Sequence, residues 1–438
     1  MLSAQDNDLI CRVGPGTPMG AVMRRYWMPA LLSRELPADG DPMRLMLLGE
    51  ALLAFRDSSG KVGIVDHECP HRCASLFYGR NEEGGIRCAY HGWKFAADGR
   101  CLDMPNVPAH LDFKDKIRIA SYPTIERGGV IWTYMGTLNG TTGEAPPQLP
   151  DILANLLPED QVDFTLFQRE CNWLQALEGD YDTSHVGFLH GGKRTLADHR
   201  PDDPQRFGTI NRAPTYEVME QEWGVTYAAI RPADEGQDYW RIGQFLFPFW
   251  SITPSSPITQ RVGMRAWVPM DDTHTLAFQI RRKVPGRNGV DGMPDPASDY
   301  LPDTTDWYGR YRLKVHPRND HLLDRARQRN ENYSGIVGIT QQDQAITESM
   351  GPIANRAKEH LAPSDRMIQV SRRRLIEAAV KLRDEGVAPP GAARPELYAQ
   401  VAGGFFLTGA NRSIAEAYAE QLAAFRDANR ALLAVAAE

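Results

Sequence analysis

With 438 residues, 42% of them hydrophobic and 24% charged, the chain is long enough for two domains with substantial cores, and it shows no disordered or collagen-like bias. Its formal charge of −7, with no basic stretch to offset it, speaks against a nucleic-acid binder. No apolar run reaches the roughly 18 residues a membrane span needs, and the start, MLSAQDNDLICRVGPG, has no basic region leading into an apolar one. Six cysteines in a chain this long suit a reducing cytoplasm, with some thiols used as ligands, better than a disulfide framework.

In chain order, residues 43–136 read as β-rich. Short apolar runs at Arg44–Leu48, Ala51–Phe55 and Gly63–Val65 alternate with turn signals at Asp57–Gly60, Glu82–Gly85 and Ala97–Gly99. Thr137–Pro150, rich in Gly, Thr and Pro, reads as a linker. A mixed α+β domain is expected over 150–438, with the segment 1–42 packing on it. Its strand-like runs are Tyr239–Phe249, Gln260–Val268 and Thr275–Lys283, and Pro285–Asp306 reads as a long loop. Arg372-Arg373-Arg374 reads as a solvated or subunit-facing helical charge run. Near the end, Ser413 and Glu416 have capping-box spacing. Ile414, Tyr418, Leu422 and Phe425 then follow at helical spacing, as core or interface positions.

Two pairs of metal-ligating residues stand out in the first domain. Cys69-Pro70-His71 is followed, after sixteen residues, by Cys88-Ala89-Tyr90-His91. Two thiolates and two imidazoles are the ligand set of a Rieske [2Fe–2S] centre, where the histidines hold one iron and the cysteines the other. Structural zinc is the competing use of such a set, but zinc fingers usually pair like ligands, whereas here each half is mixed. The run Tyr90-His91-Gly92-Trp93-Lys94-Phe95 resembles that of Rieske ring-hydroxylating oxygenases, and the likeness spans 43–136. Cys73 reads as a free packed cysteine, Cys11, Cys101 and Cys171 as small buried hydrophobes, and His67 as a capping or surface residue.

A second set lies in Asn172–His190. Asp182 and His185 are three apart and would share one helical face, while His185 and His190, five apart, need a bend such as Gly187 allows in order to converge. By spacing alone, two packed or surface histidines would explain the pair equally. The pattern D-x-x-H-x-x-x-x-H after N-W-L-Q-x-x-E-G resembles the mononuclear-iron segment of the same oxygenases. That resemblance implies Fe(II) on His185 and His190, with a distant Asp completing a facial triad that leaves positions open for dioxygen. The run Gln341–Pro352, similar to that of the phthalate dioxygenase group, makes Asp343 the third ligand ahead of Asp320, Asp324 and Glu348. The resemblance to the oxygenase family also implies that Asp182 orients His185 and reaches His91 of a neighbouring subunit, so that a trimer or dimer of trimers is the working unit.

The fold implied is α+β: an all-β Rieske domain, then a catalytic domain with an antiparallel sheet and helices around one mononuclear iron. The activity implied is that of a terminal oxygenase using O2 and electrons from NADH through a separate flavin and iron–sulfur reductase. This chain shows no nucleotide-binding glycine fingerprint of its own. The expected substrate is an aromatic carboxylate, a phthalate isomer or substituted benzoate, undergoing cis-dihydroxylation; the alternative is monooxygenation or O-demethylation of an aromatic acid. A pure electron carrier would need only the first ligand set. Arg241 and Arg206 are the candidate carboxylate anchors, with Arg265 behind them, because a buried carboxylate calls for a guanidinium.

Overall fold

The computed structural model describes residues 2–136, 145–283 and 299–437. Part of the expected linker (137–144) and most of the expected loop (285–298) lie outside the described residues.

The fold is α+β. Helices α1 (Ala4–Cys11) and α2 (Pro18–Met23) lead into β1 (Trp27–Leu32). Ten short strands follow: β2 (Met43–Leu47), β3 (Glu50–Arg56), β4 (Val62–Asp66), β5 (Arg80–Glu82), β6 (Gly85–Arg87), β7 (Lys94–Phe95), β8 (Cys101–Asp103), β9 (Ser121–Tyr122), β10 (Thr124–Arg127) and β11 (Val130–Tyr134). They form three small sheets, ordered β1-β11-β10, β2-β3-β4-β9 and β5-β6-β7-β8. The three expected runs coincide with β2, β3 and β4, except that Leu48 lies past the end of β2 in a left-handed turn. Hairpin turns at the Gly-containing signals join the short strands, as the turn chemistry dictates.

The second half is built on one eight-stranded antiparallel sheet. Its strands are β12 (Val162–Arg169), β13 (Thr215–Gln221), β14 (Gly224–Pro232), β15 (Gln237–Leu246), β16 (Trp250–Ile252), β17 (Gly263–Pro269), β18 (Thr275–Arg282) and β19 (Gly404–Gly409). The order is β12-β18-β17-β16-β15-β14-β13, with β19 added to β15. The run Tyr239–Phe249, read as one strand, is divided: β15 ends at Leu246, and a turn over Phe247–Phe249 leads to β16. Pro248 has no N–H to continue the ladder, which is why an apolar run alone misjudged its length.

Around this sheet lie α3 (Trp173–Tyr181), α4 (Arg206–Ile210), α5 (Arg325–Asn330), α6 (Ile339–Ser349), α7 (Arg366–Glu385), α8 (Ile414–Ala428) and α9 (Arg430–Ala437). The Ser413–Glu416 capping box forms at the start of α8, and Tyr418 and Phe425 are buried. One core holds Trp132 of the first half together with Trp173, Trp240, Trp250 and Trp267 of the second, while the ligand loops of the first half enclose a smaller core around Phe55, Ile86 and Phe95.

The arginine triplet corrects its reading. Only Arg373 behaves as a surface charge; Arg372 is buried, donating to Glu178 (2.6 and 2.9 Å) and Glu359, and Arg374 bonds the backbone at Gln221 and Gly224. Glu178 also accepts from Arg356 at 3.0 Å, and Arg356 contacts Asn7 and Cys11 of α1, each at 3.1 Å. A buried charge cluster thus ties the N-terminal helix, α3 and α7 together. Among the described residues no helix is long and apolar enough to cross a membrane.

Candidate metal centres and the oxygenase site

The two loops of the first half share one backbone design. Cys69 N–H donates to Ala74 O (2.9 Å) and Cys73 N–H returns to Cys69 O (2.9 Å); Cys88 N–H donates to Trp93 O (2.8 Å) and Gly92 N–H returns to Cys88 O (3.0 Å). Both loops need a left-handed residue four places after the cysteine: Cys73 has φ +55° and Gly92 φ +77°. At Gly92 a Cβ would also crowd Pro105. Cys73 is therefore an exposed turn residue, not a packed one. The turn geometry that puts it there leaves no trace in cysteine spacing.

These loops bring both halves of the ligand set together. The thiols of Cys69 and Cys88 are buried, and the imidazoles of His71 and His91 meet with ring centroids 4.3 Å apart. Nδ1 of each histidine is buried without a hydrogen-bond partner among the described residues. Burial first, and the neighbouring Cys88 thiol, push the Cys69 thiol up to about 12 despite the His71 backbone N–H. A buried thiol of that kind ionises when a cation takes the proton's place. Two buried thiols and two orphaned imidazole nitrogens fit the [2Fe–2S] group. Trp93 holds the His71 ring by stacking on it at 4.6 Å and is itself anchored by its indole N–H to Asn106. His67, by contrast, sets its ring edge against Trp307 at 5.1 Å.

The second set does not lie on one continuous helix. Asn172 caps α3 at its start, and α3 stops at Tyr181 with Asp182 in extended conformation. His185 opens a short 3-10 turn, and His190 follows it. Asp182 is the cause of the break. Its Oδ1 accepts the Ser184 N–H at 2.7 Å and its Oδ2 lies 3.3 Å from His185 Nδ1, bonds that draw the backbone out of the helix. The Asp182–His185 contact is present, but it comes from this turn rather than from a shared helical face.

His185, His190 and Asp343 converge, with their ligand atoms within 4.8 Å of one another. Nε2 of His185 and Nε2 of His190 are 3.1 Å apart, and Asp343 Oδ1 lies 3.5 and 3.0 Å from them. The tautomers are fixed from behind. Gln342 Nε2 donates to Ile336 O at 2.9 Å, so its Oε1, 2.8 Å from His190 Nδ1, must accept the Nδ1 proton. Asp182 does the same for His185. Two Nε2 lone pairs then face each other, which only a shared proton or cation relieves, and the donor set fits ferrous iron.

Electrostatics support an ionised carboxylate there. Burial works against Asp343, but while the histidines carry protons at Nε2 the hydrogen bond from His190 and the charges of both histidines and Arg169 hold it at about 2, and a bound cation would take over the protons' part. Arg169 lies buried at the end of β12, its guanidinium 4.4 Å from the Trp267 ring centroid. Its Nη1 donates to Thr347 Oγ1 at 3.2 Å, and that hydroxyl donates to Asp343 O at 2.8 Å. The competing acids are engaged elsewhere: Asp324 caps α5, Glu348 pairs with His321 at 2.8 Å, and Asp320 sits in a left-handed turn.

Of the candidate anchors, Arg206 is paired with Asp234 (2.6 Å) and Arg265 with Asp180 (2.7 Å). Arg241 is half-buried and its Nε has no partner among the described residues. Its charge is felt at His185, so it lies within electrostatic reach of that cluster. Gln342 and Arg169 had been passed over. Gln342 stood next to Asp343 in the motif, whereas Arg169 is reached only through the fold.

A family model described as "Rieske [2Fe-2S] domain" matches residues 26–123, and one described as "LigXa C-terminal domain like" matches 133–402. The chain is 48% identical over 419 residues to the 3-chlorobenzoate-3,4-dioxygenase oxygenase subunit of Comamonas testosteroni, covering 93% of this chain and 96% of that one. It is 34% identical over 407 residues to the phthalate 4,5-dioxygenase oxygenase subunit of Pseudomonas putida, covering 86% of each. Among solved structures, dicamba monooxygenase bound to dicamba superposes with a TM-score of 0.54 at 18% identity, over 82% of this chain and 98% of that one, a likeness of fold.

Proposed function

Since this chain belongs to the Rieske non-haem iron oxygenases, we propose that it hydroxylates an aromatic carboxylate as the terminal component of an electron-transfer system. The family's cofactors are one [2Fe–2S] cluster and one mononuclear iron per chain. The proposed ligands are Cys69, His71, Cys88 and His91 for the cluster, and His185, His190 and Asp343 for the iron. We place the cluster domain at 43–136 and the catalytic domain at 150–438; of the segment 1–42, α1 and α2 contact α7 of the catalytic half while β1 pairs with β11 of the cluster half. When bound, the cluster relays single electrons and the mononuclear iron supplies dioxygen activation.

The chain's own residues prepare for that chemistry. Asp182 and Gln342 keep a proton on each Nδ1 and so keep each Nε2 free. Asp182 is also one-quarter exposed at its side chain, which leaves it accessible to a second copy. We take it to bridge His185 to the partner's His91, in a trimer or dimer of trimers served by a separate NADH-dependent reductase. Arg241 is the anchor for the substrate carboxylate.

The observation that carries the substrate reading is Arg241, whose Nε has no partner and whose side chain has no carboxylate partner among the described residues and whose charge is felt at His185, in a chain nearly half identical to a relative named for an aromatic acid. The test is a panel of benzoates, phthalate isomers and methoxybenzoates turned over under labelled dioxygen with a surrogate reductase. Two labelled oxygens in a cis-diol product are expected, and Arg241→Met is expected to raise KM about tenfold, the loss of one charge-assisted pair. One labelled oxygen would mean monooxygenation, and no turnover of any acid would refute the substrate class.

A further inference from the structure

Close to the His185–His190–Asp343 cluster a buried charge stands without a match. Asp180 of α3 accepts from Ser251 Oγ at 2.6 Å, from Arg265 Nη1 at 2.7 Å and from the Trp267 indole N–H at 2.7 Å. Glu348 of α6 is held by His321 at 2.8 Å, by the Glu170 N–H at 2.8 Å and by the Gln344 amide at 3.0 Å. Both acids thus have several donors of their own. Arg169, the last residue of β12, is 2% exposed and has no carboxylate within 4.0 Å among the described residues. Its Nε makes no hydrogen bond there.

Two contacts hold the guanidinium. It lies over the Trp267 ring, 4.4 Å from the centroid, and its Nη1 donates to Thr347 Oγ1 at 3.2 Å. The Thr347 hydroxyl donates in turn to Asp343 O at 2.8 Å, which joins the cation to the turn of α6 that carries Asp343. Burial lowers the Arg169 pKa, and Asp343 is the charge that most opposes this. Taking an arginine out of water without a paired carboxylate is costly, whereas an apolar side chain of similar length would fill the same space without that cost. The counter-charge left to Arg169 is therefore the carboxylate proposed to hold the iron.

We infer that Arg169 is a fixed counter-charge that biases the mononuclear iron toward its ferrous form. The inference rests on the reading of His185, His190 and Asp343 as iron ligands and adds to it a control of redox state. In the couple Fe(III) + e− → Fe(II) the charge of the ion falls by one, so a cation buried nearby favours the ferrous side and raises the potential. Inside the protein that interaction is screened far less than at the surface. Ferrous iron is the form that such a triad presents to dioxygen. The experiment is an anaerobic redox titration of the fully loaded protein with dithionite and ferricyanide, the ferric ion followed by EPR and the cluster's potential read in the same sample. Arg169→Met should lower the potential of the iron by at least about 59 mV, a tenfold change in the preference for Fe(II) over Fe(III). The cluster's potential should not move, and Fe(II) should bind at least as tightly as in the parent, since a cation repels the ion in either state. Thr347→Val, which breaks the bond to the guanidinium but keeps its charge, should stay within threefold of the parent. Should Arg169→Met not fold, Arg169→Gln carries the same expectation. An unchanged iron potential in the neutral variant, as a merely structural arginine would give, or an equal shift in Thr347→Val, would overturn the counter-charge and leave the iron ligands standing. Parent protein that binds no iron at the second site would overturn the ligand assignment beneath it.

Discussion

Gln342 bears directly on whether the histidines are ligands or merely neighbours. Its carbonyl oxygen is 2.8 Å from His190 Nδ1 and its amide is pinned to Ile336 O, so it fixes the tautomer with Nε2 bare. Gln342→Leu keeps the bulk and removes the acceptor. The mononuclear iron should then be held about 10- to 100-fold more weakly, the usual effect of losing a group that orients a metal-bound histidine. Chelator competition measured on the iron alone checks this, and the cluster's absorption serves as the internal control. An unchanged iron affinity would mean that His190 is oriented by something else. Most of the proposed metal ligands were legible in the sequence because their spacing carries the chemistry: C-x-H with C-x-x-H needs no fold to be read. Arg169 was not, because what brings it to Thr347 and Asp343 is the packing of β12 against α6, and that packing depends on the whole fold.

At the scale of elements, α3 is the hinge of the account, since it delivers Asp182 and His185 at one end and buries Glu178 in its middle. Glu178 neutralises Arg356 and Arg372 at 3.0 and 2.6 Å and so joins α1, α3 and α7. Burial opposes its ionisation, but the two guanidiniums more than offset this and hold its pKa below the ordinary glutamate value. A carboxylate depressed on folding contributes stability that is fully present above its unfolded pKa, about 4.3, and is lost as pH falls through the lower folded value. Glu178→Gln leaves the buried Arg356 without a carboxylate and Arg372 with Glu359 alone, and should cost about 3–5 kcal/mol at neutral pH. Denaturant unfolding should also show a flatter decline below about pH 4 than in the parent protein, because the titrating group is gone. A variant as stable as the parent at pH 7 would mean that Glu359 or solvent already neutralises the arginines. The motif E-G-D in α3 gave no sign of this role. Charge runs read as surface unless the fold brings their partners, and Arg372 was misread for that reason.

The whole molecule poses a different question, because the two proposed metal centres draw their ligands from different halves of one chain. Each site has its own buried donors and its own orienting residues, so each should load independently. The proposed link between them is Asp182, bonded to His185 on one side and one-quarter exposed at its side chain. Asp182→Asn keeps the shape but loses the charge that holds the His185 proton. It should leave cluster reduction normal and slow electron delivery by a factor of at least 100, the scale of losing about 2.7 kcal/mol from the barrier.

Stopped-flow absorbance of the cluster follows electrons from the cluster to the proposed mononuclear site. Chemically reduced, fully metal-loaded protein is mixed with O2 and an aromatic acid, with no reductase present. Parent protein should re-oxidise its cluster rapidly, with product formed in the same turnover. Asp343→Ala, with its cluster intact, should stay reduced, and Asp182→Asn of matched iron content should re-oxidise at least 100-fold more slowly. Re-oxidation of Asp343→Ala at the parent rate, coupled to product, would contradict the assignment of His185, His190 and Asp343 as the site where the electrons are used.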